Sequence, residues 1–362
     1  MVYKKKAFTI VELLIIVVVI GILASVVLIS FSNISQRAIL SSLQSDLSNA
    51  KKQLQNYQTQ NGVFPTQIAC PASLTTDICI KPSGSNVFSY TSYNANENQP
   101  SFYLSVSNGS STYHITDTTD PVDKSGTISN GLAYNLDFAN NTSYPGNGTN
   151  TTDLVSGLGG SLSNPSYYSY DSVTKSMNFT RDSVTVTGGF HAITMTGNLT
   201  ASNFLYNNHT MEIMAKINDY NGSNINGNES QNTLMVYRGW HSGFMYSTGG
   251  IYYGMWNGTS APTFFLTTSP TANTWFHLVA SRTGSTTRLY INGVFSNSST
   301  YSTANGSPGV SNEFKLASAN NGTGPYANYS KCNIAYAKLY TRALSAGEVA
   351  QNFNATRSRY GL

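Results

Sequence analysis

Glu12 is a charged side chain in an unfavourable setting for charge. It lies inside the apolar run AFTIVELLIIVVVIGILASVVLISF (residues 7–31), and no other charged residue occurs between Lys6 and Arg37. An unpaired carboxylate in an apolar environment costs several kcal/mol, so the side chain must stay neutral or meet a cation. The chemistry expected at this position is therefore charge pairing.

The remaining acidic residues do not form a catalytic pattern. Glycoside hydrolysis needs two carboxyl groups flanking the scissile bond, yet Glu212 has no acidic residue two or four positions away and Asp137 is similarly isolated. The sequence also lacks GxSxG, HExxH and GxxxxGK[ST] patterns and a Cys/His pair at zinc spacing. An enzyme is therefore not expected.

Two aromatic runs, YRGWHSGFMY and GGIYYGMWNGTS, combine ring faces with amide and hydroxyl groups. That combination suits carbohydrate recognition, although each ring could equally belong to a protein core. The candidate ligand-binding residues are Trp240, His241, Tyr252, Tyr253, Trp256 and Asn257.

The composition favours β-structure with a weakly charged surface and argues against nucleic-acid binding. Only 10% of the 362 residues are charged and 12% are aromatic. Three of the formal +4 charges are Lys4, Lys5 and Lys6, so a chain without them carries 17 basic and 16 acidic side chains. No nucleic-acid partner is expected at such a balance.

The apolar stretch Phe8–Phe31 has about 24 residues, roughly 36 Å as a helix, which is enough to cross a bilayer. The lysines before it predict a cytoplasmic N-terminus, with everything after Arg37 outside. In this setting Glu12 either pairs with a cation or reaches the headgroup region.

The segment KKKAFTIVELL resembles the class III leader of type IV prepilins. The resemblance implies a 1–7 leader, cleavage by prepilin peptidase between Ala7 and Phe8, and N-methylation of Phe8. It also implies that Glu12 pairs with the α-ammonium of a neighbouring subunit's Phe8. The implied partners are other pilin subunits and the inner-membrane assembly machinery. Ala7 stands where glycine is usual in this family.

A second, amphipathic half follows the apolar stretch. Apolar residues recur at alternating steps of three and four from Ile34 to Tyr57, which predicts one helix over residues 8–60. Gly62 and Pro65 end it. The runs VFSYTSY, SFYLSVS and TYHIT predict a small antiparallel sheet, so residues 61–118 are expected to form a pilin head.

Cys70 and Cys79 enclose a short loop in a part of the chain that is predicted to be exported. Disulfides persist outside the cytoplasm, so a Cys70–Cys79 bridge is expected, with metal binding as the rival. Cys332 is left over and is expected to be a buried free thiol.

Residues 119–126 are polar and contain Pro121 and Gly126, which is typical of a linker. Asp117, Asp120 and Asp123 lie three residues apart around it. They are interpreted as solvated acids, because no EF-hand pattern is present. Ca²⁺ binding is the alternative.

Residues 127–362 contain many short β-type runs and predict an all-β sandwich. The pieces NLDFANNTSYPGNGT, TWFHLVASR, RLYINGV and IAYAKLYTRALSAGEVAQNFNATRSRYG resemble LamG-like, concanavalin A-like jelly rolls. The resemblance implies a possible structural Ca²⁺, for which Asp137 and Asp219 are candidates, and no required cofactor. In the last piece Ser345 and Glu348 predict a capping box.

The predicted fold class is an α+β pilin, with a long helix and a small antiparallel sheet, followed by an all-β jelly-roll sandwich. The function expected from both resemblances is a type IV pilus subunit that displays a lectin-like domain for adhesion to glycans or cell surfaces. The size of the appended domain favours a minor or tip-type subunit, because every subunit of a fibre would otherwise have to accommodate it. It would reside in the cytoplasmic membrane before assembly and in an extracellular filament afterwards. The alternatives are a pseudopilin of a type II secretion or DNA-uptake system and, more remotely, a membrane-tethered glycan hydrolase.

Overall fold

The computed structural model describes residues 10–70, 77–95, 99–162, 165–180, 191–194, 208–220, 232–237, 242–247, 250–255, 263–266, 268–300, 313–317 and 330–362. In these ranges the chain forms a long helix, a small sheet and a large two-sheet sandwich. The predicted fold class is therefore confirmed.

Helix α1 is Ile10–Asn61, 52 residues without interruption. It contains no proline and a single glycine, so the sequence does not break its hydrogen-bond ladder. The helix ends where Gly62 adopts a positive φ of 76° and its N–H donates to the Gln58 carbonyl at 2.8 Å.

The two halves of α1 have different surroundings. The large apolar side chains from Ile10 to Leu23 are 46–86% exposed, whereas Leu43, Leu47, Ala50 and Leu54 are fully buried. No helix within the described ranges has the length and hydropathy of a membrane-crossing segment.

The second half of α1 packs against an antiparallel sheet in the order β1-β2-β3-β4. Phe102, Leu104 and Val106 alternate along β2 and, with Ile115 of β3, face the helix. Phe64, just after the helix, packs edge-on against Phe102 with ring centroids 5.0 Å apart. We call this helix-and-sheet unit the head. Its strands are β1 (Val87–Tyr93), β2 (Ser101–Ser107), β3 (Thr112–Thr116) and β4 (Val122–Asp123).

The segment expected to be a linker, residues 119–126, instead takes part in the head. Strand β4 pairs with Tyr113 and His114 of β3. Beyond it, the Gly126 carbonyl lies 3.1 Å from His114 Nε2. A two-residue edge strand held by backbone hydrogen bonds has too few side chains for an alternating pattern, so it could not be predicted from periodicity.

The Cys70–Cys79 disulfide is present, with the two Cα atoms 4.7 Å apart. Beside the disulfide, backbone hydrogen bonds from Ile78 N to Gln67 O and from Ile80 N to Ile68 O join the two segments that it links. Cys332 is a buried free thiol, and burial raises its pKa. Both expectations about the cysteines are confirmed.

The sandwich consists of two sheets. One has the order β15-β14-β13-β12-β19-β10-β7-β6. The other, which we call the α2-side sheet because helix α2 (Ala346–Thr356) packs on it, has the order β18-β17-β16-β11-β20-β9-β8, with β5 also paired to β20. The first sheet contains β6 (Asn150–Thr152), β7 (Gly159–Leu162), β10 (His191–Thr194), β12 (Asn232–Tyr237), β13 (Ser242–Ser247), β14 (Gly250–Met255), β15 (Thr263–Phe265) and β19 (Glu313–Leu316). The α2-side sheet contains β5 (Leu132–Asp137), β8 (Tyr168–Asp171), β9 (Ser176–Phe179), β11 (His209–Ile217), β16 (Trp275–Thr283), β17 (Thr286–Ile291), β18 (Val294–Thr300) and β20 (Cys332–Tyr340).

Alternation along the strands builds the core between the two sheets. In the α2-side sheet, Met211 and Ile213, with Leu278 and Leu339, point into this core and are fully buried. The residues between them, Glu212 among them, therefore point to the opposite face of that sheet.

Helix α2 (Ala346–Thr356) covers that opposite face. It starts with the predicted capping box: Ser345 Oγ accepts from Glu348 N, and the Glu348 carboxylate accepts from Ser345 N. Val349 and Ala346 pack on Val279 and Tyr290 of the α2-side sheet. A short 3₁₀ helix, Arg357–Tyr360, follows directly, and another, Pro165–Tyr167, precedes β8.

Candidate functional site

The first candidate site is the apolar half of α1. Glu12 lies in the first turn of the helix and is exposed, among apolar side chains that are also exposed. Ala7 and Phe8, the predicted cleavage and methylation residues, lie outside the described residues. Their processing and the assembly role of Glu12 remain predictions.

The second candidate site is the predicted carbohydrate-binding group. Tyr252 and Tyr253 lie on β14 and are only 3% and 0% exposed. Tyr253 belongs to the sandwich core, where its hydroxyl lies 3.6 Å from Met211 Sδ and its ring packs edge-on against Phe244. Neither tyrosine offers an open ring face, because both side chains are buried. Trp240, His241, Trp256 and Asn257 lie outside the described residues.

The acidic residues considered for Ca²⁺ are bound to protein groups or exposed to solvent. Asp137 Oδ1 accepts from Ala139 N, and Oδ2 lies 3.5 Å from an Arg359 nitrogen; Asp219 is exposed. Near the head, Asp123 accepts from Ser125 and Asp120 is exposed. Across the described ranges, no three His, Cys, Asp or Glu residues are close enough to hold a metal ion. The Ca²⁺ expectation thus gains no ligand set from these residues.

A charged cluster lies sealed beneath α2. Glu212 Oε1 is 3.2 Å from His277 Nε2 and 3.3 Å from Lys338 Nζ, and Oε2 accepts from Asn352 Nδ2 at 2.6 Å. Asn352, on α2, also donates to the Tyr340 hydroxyl at 2.9 Å. The cluster ties the helix to the α2-side sheet by charge-assisted hydrogen bonds.

This cluster is not suited to catalysis. Glu212 and His277 are fully buried, so a substrate has no access to them. Burial would raise the pKa of Glu212, but Lys338 and His277 outweigh that effect and lower the pKa to about 2. The carboxylate is therefore held ionised, as expected of a structural ion pair.

A further group of contacts joins α2 to the head, and the sequence did not reveal it. The Glu348 carboxylate accepts from the Arg342 guanidinium at 2.6 and 2.8 Å and from Thr118 Oγ1 of the head at 2.7 Å. Gln351 lies 3.3 Å from Thr119 Oγ1 and donates to the Gly126 carbonyl at 3.1 Å. We call this α2–head contact the seam.

The helix and the head approach most closely at Gly347. Its N–H donates to Ser101 Oγ at 3.2 Å, and a Cβ at this position would lie 2.3 Å from the Phe102 carbonyl oxygen. Only glycine permits that separation, because the neighbouring atom is backbone and cannot swing away. A glycine one residue before a capping glutamate is the one sequence signal that could have indicated the contact.

Two family descriptions match the chain. The prokaryotic N-terminal methylation motif matches residues 3–28, and the concanavalin A-like lectin/glucanases superfamily matches residues 177–350. No curated protein matches it.

Several solved structures are similar to part of this chain. The botulinum neurotoxin serotype D binding domain has 11% identity and a TM-score of 0.43, with 62% of this chain and 51% of that chain covered. The binding domain of botulinum neurotoxin DC, solved with rat synaptotagmin II, has 13% identity, a TM-score of 0.46 and the same coverage. A Trypanosoma rangeli sialidase has 12% identity and a TM-score of 0.47, with 76% of this chain and 46% of that chain covered. The chain thus spans about half the length of each.

The buried cluster makes a testable prediction about stability. Lys338→Met should destabilise the protein by about 3–5 kcal/mol, because Glu212 then stays buried without its ammonium partner. The double variant Glu212→Gln/Lys338→Met should recover much of that loss. Urea unfolding of the purified chain measures both, with exposed Lys331→Met as the control at a cost of about 1 kcal/mol or less. Equal losses in the single and double variants would contradict the ion-pair assignment.

Proposed function

Because residues 3–28 carry the prokaryotic N-terminal methylation motif and residues 177–350 match a concanavalin A-like domain, we propose that the chain is a type IV pilin-like subunit of minor or tip type. Its role is adhesive: the filament displays the sandwich to glycans or cell surfaces. The motif implies membrane anchoring before assembly and a surface filament afterwards.

The observation that carries this proposal is the division of α1 into two halves. The half that overlaps the methylation motif exposes large apolar side chains, while the other half is buried against its own head. Large apolar side chains are unfavourable in contact with water, and their burial against another apolar surface is favourable. Neighbouring copies of the same half-helix provide such a surface in a filament.

The minor or tip assignment rests on bulk. The sandwich accounts for most of the residues after the head, and the seam holds it beside the head. If every subunit carried this unit, the filament would have to accommodate it at each axial step. A few copies, or one at the tip, avoid that crowding and place the binding domain where it meets a surface.

The first experiment tests processing and assembly together. Filaments are sheared from native cells, and the N-terminal peptide of this chain is identified by mass spectrometry. We expect a peptide that starts at methylated Phe8 in the sheared fraction. A methylated chain that stays with the cells would favour a pseudopilin, and a chain that keeps residues 1–7 would contradict the pilin proposal altogether.

A second experiment tests Glu12. Glu12→Gln should leave cleavage and methylation intact but lower incorporation into sheared filaments at least about tenfold, because the neutral amide loses the attraction to a neighbour's α-ammonium worth about 1.4 kcal/mol or more. Ser25→Ala is the control, since the Ser25 hydroxyl donates only to carbonyls of its own helix, those of Gly21 and Ile22. Equal incorporation of Glu12→Gln and wild type would exclude the pairing.

A third experiment tests the adhesive role. Filaments that carry the chain should bind immobilised polysaccharides without releasing reducing sugar. Trp240→Ala and Trp256→Ala should each weaken binding about tenfold, if each ring contributes about 1.5 kcal/mol by stacking. Tyr253→Phe is the matched control because its ring is buried in the core. Release of reducing sugar would favour the hydrolase alternative. Full binding by both tryptophan variants would show that these two rings do not bind the polysaccharide.

A further inference from the structure

Asp117 lies in the seam between the head and α2. It follows β3 directly, and its Oδ1 is buried without a hydrogen-bond partner among the described residues. A Cβ built on Gly347 would lie 3.4 Å from that oxygen, so the backbone of α2 covers it. The docked helix therefore shields this carboxyl from water without supplying a hydrogen bond to Oδ1, while the Phe102 N–H of the head donates to the carboxyl.

Charged groups approach Asp117 from α1, from α2 and from its own turn. Lys51 comes from α1, but its Nζ donates to the Thr119 carbonyl at 2.7 Å, and burial lowers its pKa. Glu348 comes from α2, with Arg342 bound to it. Asp120, in the same turn as Asp117, also acts on Lys51. Burial, the largest cause, and the Glu348 charge raise the pKa of Asp117 to about 6, against the opposing effects of hydrogen bonds from the Asp117 and Phe102 N–H groups and of the Lys51 charge.

We propose that the seam is a proton-linked clamp, in which α2 docks more tightly on the head when the Asp117 carboxyl is protonated. Docking strips water from this carboxyl and places it beside Glu348. Both effects oppose a charged Asp117 and leave a neutral one almost unaffected. Proton uptake and docking therefore favour each other.

The direction and range of the effect follow from linkage. In the undocked state a solvated Asp117 has its ordinary pKa of 3.8, and in the docked state its pKa is about 6. The docked state therefore binds more protons between these values, so docking strengthens as the pH falls through about 6 and is weakest above it. The difference in the docking equilibrium is at most about 160-fold, reached below about pH 3.8 and only if docking causes the whole shift.

Another titratable group of the head acts in the opposite direction. Burial lowers the pKa of His114, which contacts the Gly126 carbonyl and faces Asp123. Its folded pKa is depressed, so its contribution to stability is lost as the pH falls. The clamp must consequently be tested as a difference between variants at the same pH.

The test measures the docked fraction by the distance between two spin labels on the full-length purified chain. Ser85→Cys labels the head and Ser285→Cys labels the sandwich; both sites are exposed. The native cysteines do not interfere, because two form the disulfide and Cys332 is buried. Urea is added until part of the wild-type population is undocked at about pH 7.5, so that neither state dominates.

We expect the wild-type population to move to the single docked distance as the pH is lowered to about 5. Asp117→Asn should be docked more strongly at neutral pH and respond less to pH, while Asp120→Asn, the matched control in the same turn, should follow wild type. Gly347→Val supplies the undocked reference, because its side chain clashes with the Phe102 carbonyl. The proposal is overturned if the wild-type distances do not change with pH, or if Asp117→Asn keeps the full wild-type response.

Discussion

The carboxylate of Glu348 accepts hydrogen bonds from three parts of the chain: the Ser345 N–H, the Arg342 guanidinium and the Thr118 hydroxyl of the head. The residue is only 1% exposed, so its charge is tolerated because each neighbour supplies a donor. The same group caps α2, fixes the chain that leaves β20 and holds the head. Moving the helix away from the head would take the Thr118 donor from this buried carboxylate, which favours a defined contact between the sandwich and the head.

Two separate hydrophobic cores stabilise the rest of the molecule. The head has its own core, centred on the second half of α1 and strand β2, and the sandwich has a larger core between its sheets. The exposed half of α1 belongs to neither core. Because both cores are already filled by other residues, that half-helix is the surface that we propose joins the chain to other copies of itself.

Local patterns predicted much of this fold. The capping box at Ser345 and Glu348, the end of α1 at Gly62 and the Cys70–Cys79 bridge depend on neighbouring residues, and each was readable from spacing. The contacts that define the seam were not readable, because Thr118 and Glu348 are 230 residues apart and neither is unusual in its local sequence. Tyr253 illustrates another limit: an aromatic ring in a short β-run looks the same whether it binds a ligand or fills a core, and only the packing of the second sheet shows that it is buried.

The position of α2 has a consequence for the order in which the units are completed. Ser101 and Thr118 meet α2 only across separations of 246 and 230 residues, so the seam closes after the intervening sandwich strands have paired. The seam is therefore the last contact expected to form, and its closure requires both the head and the end of the sandwich to be in place.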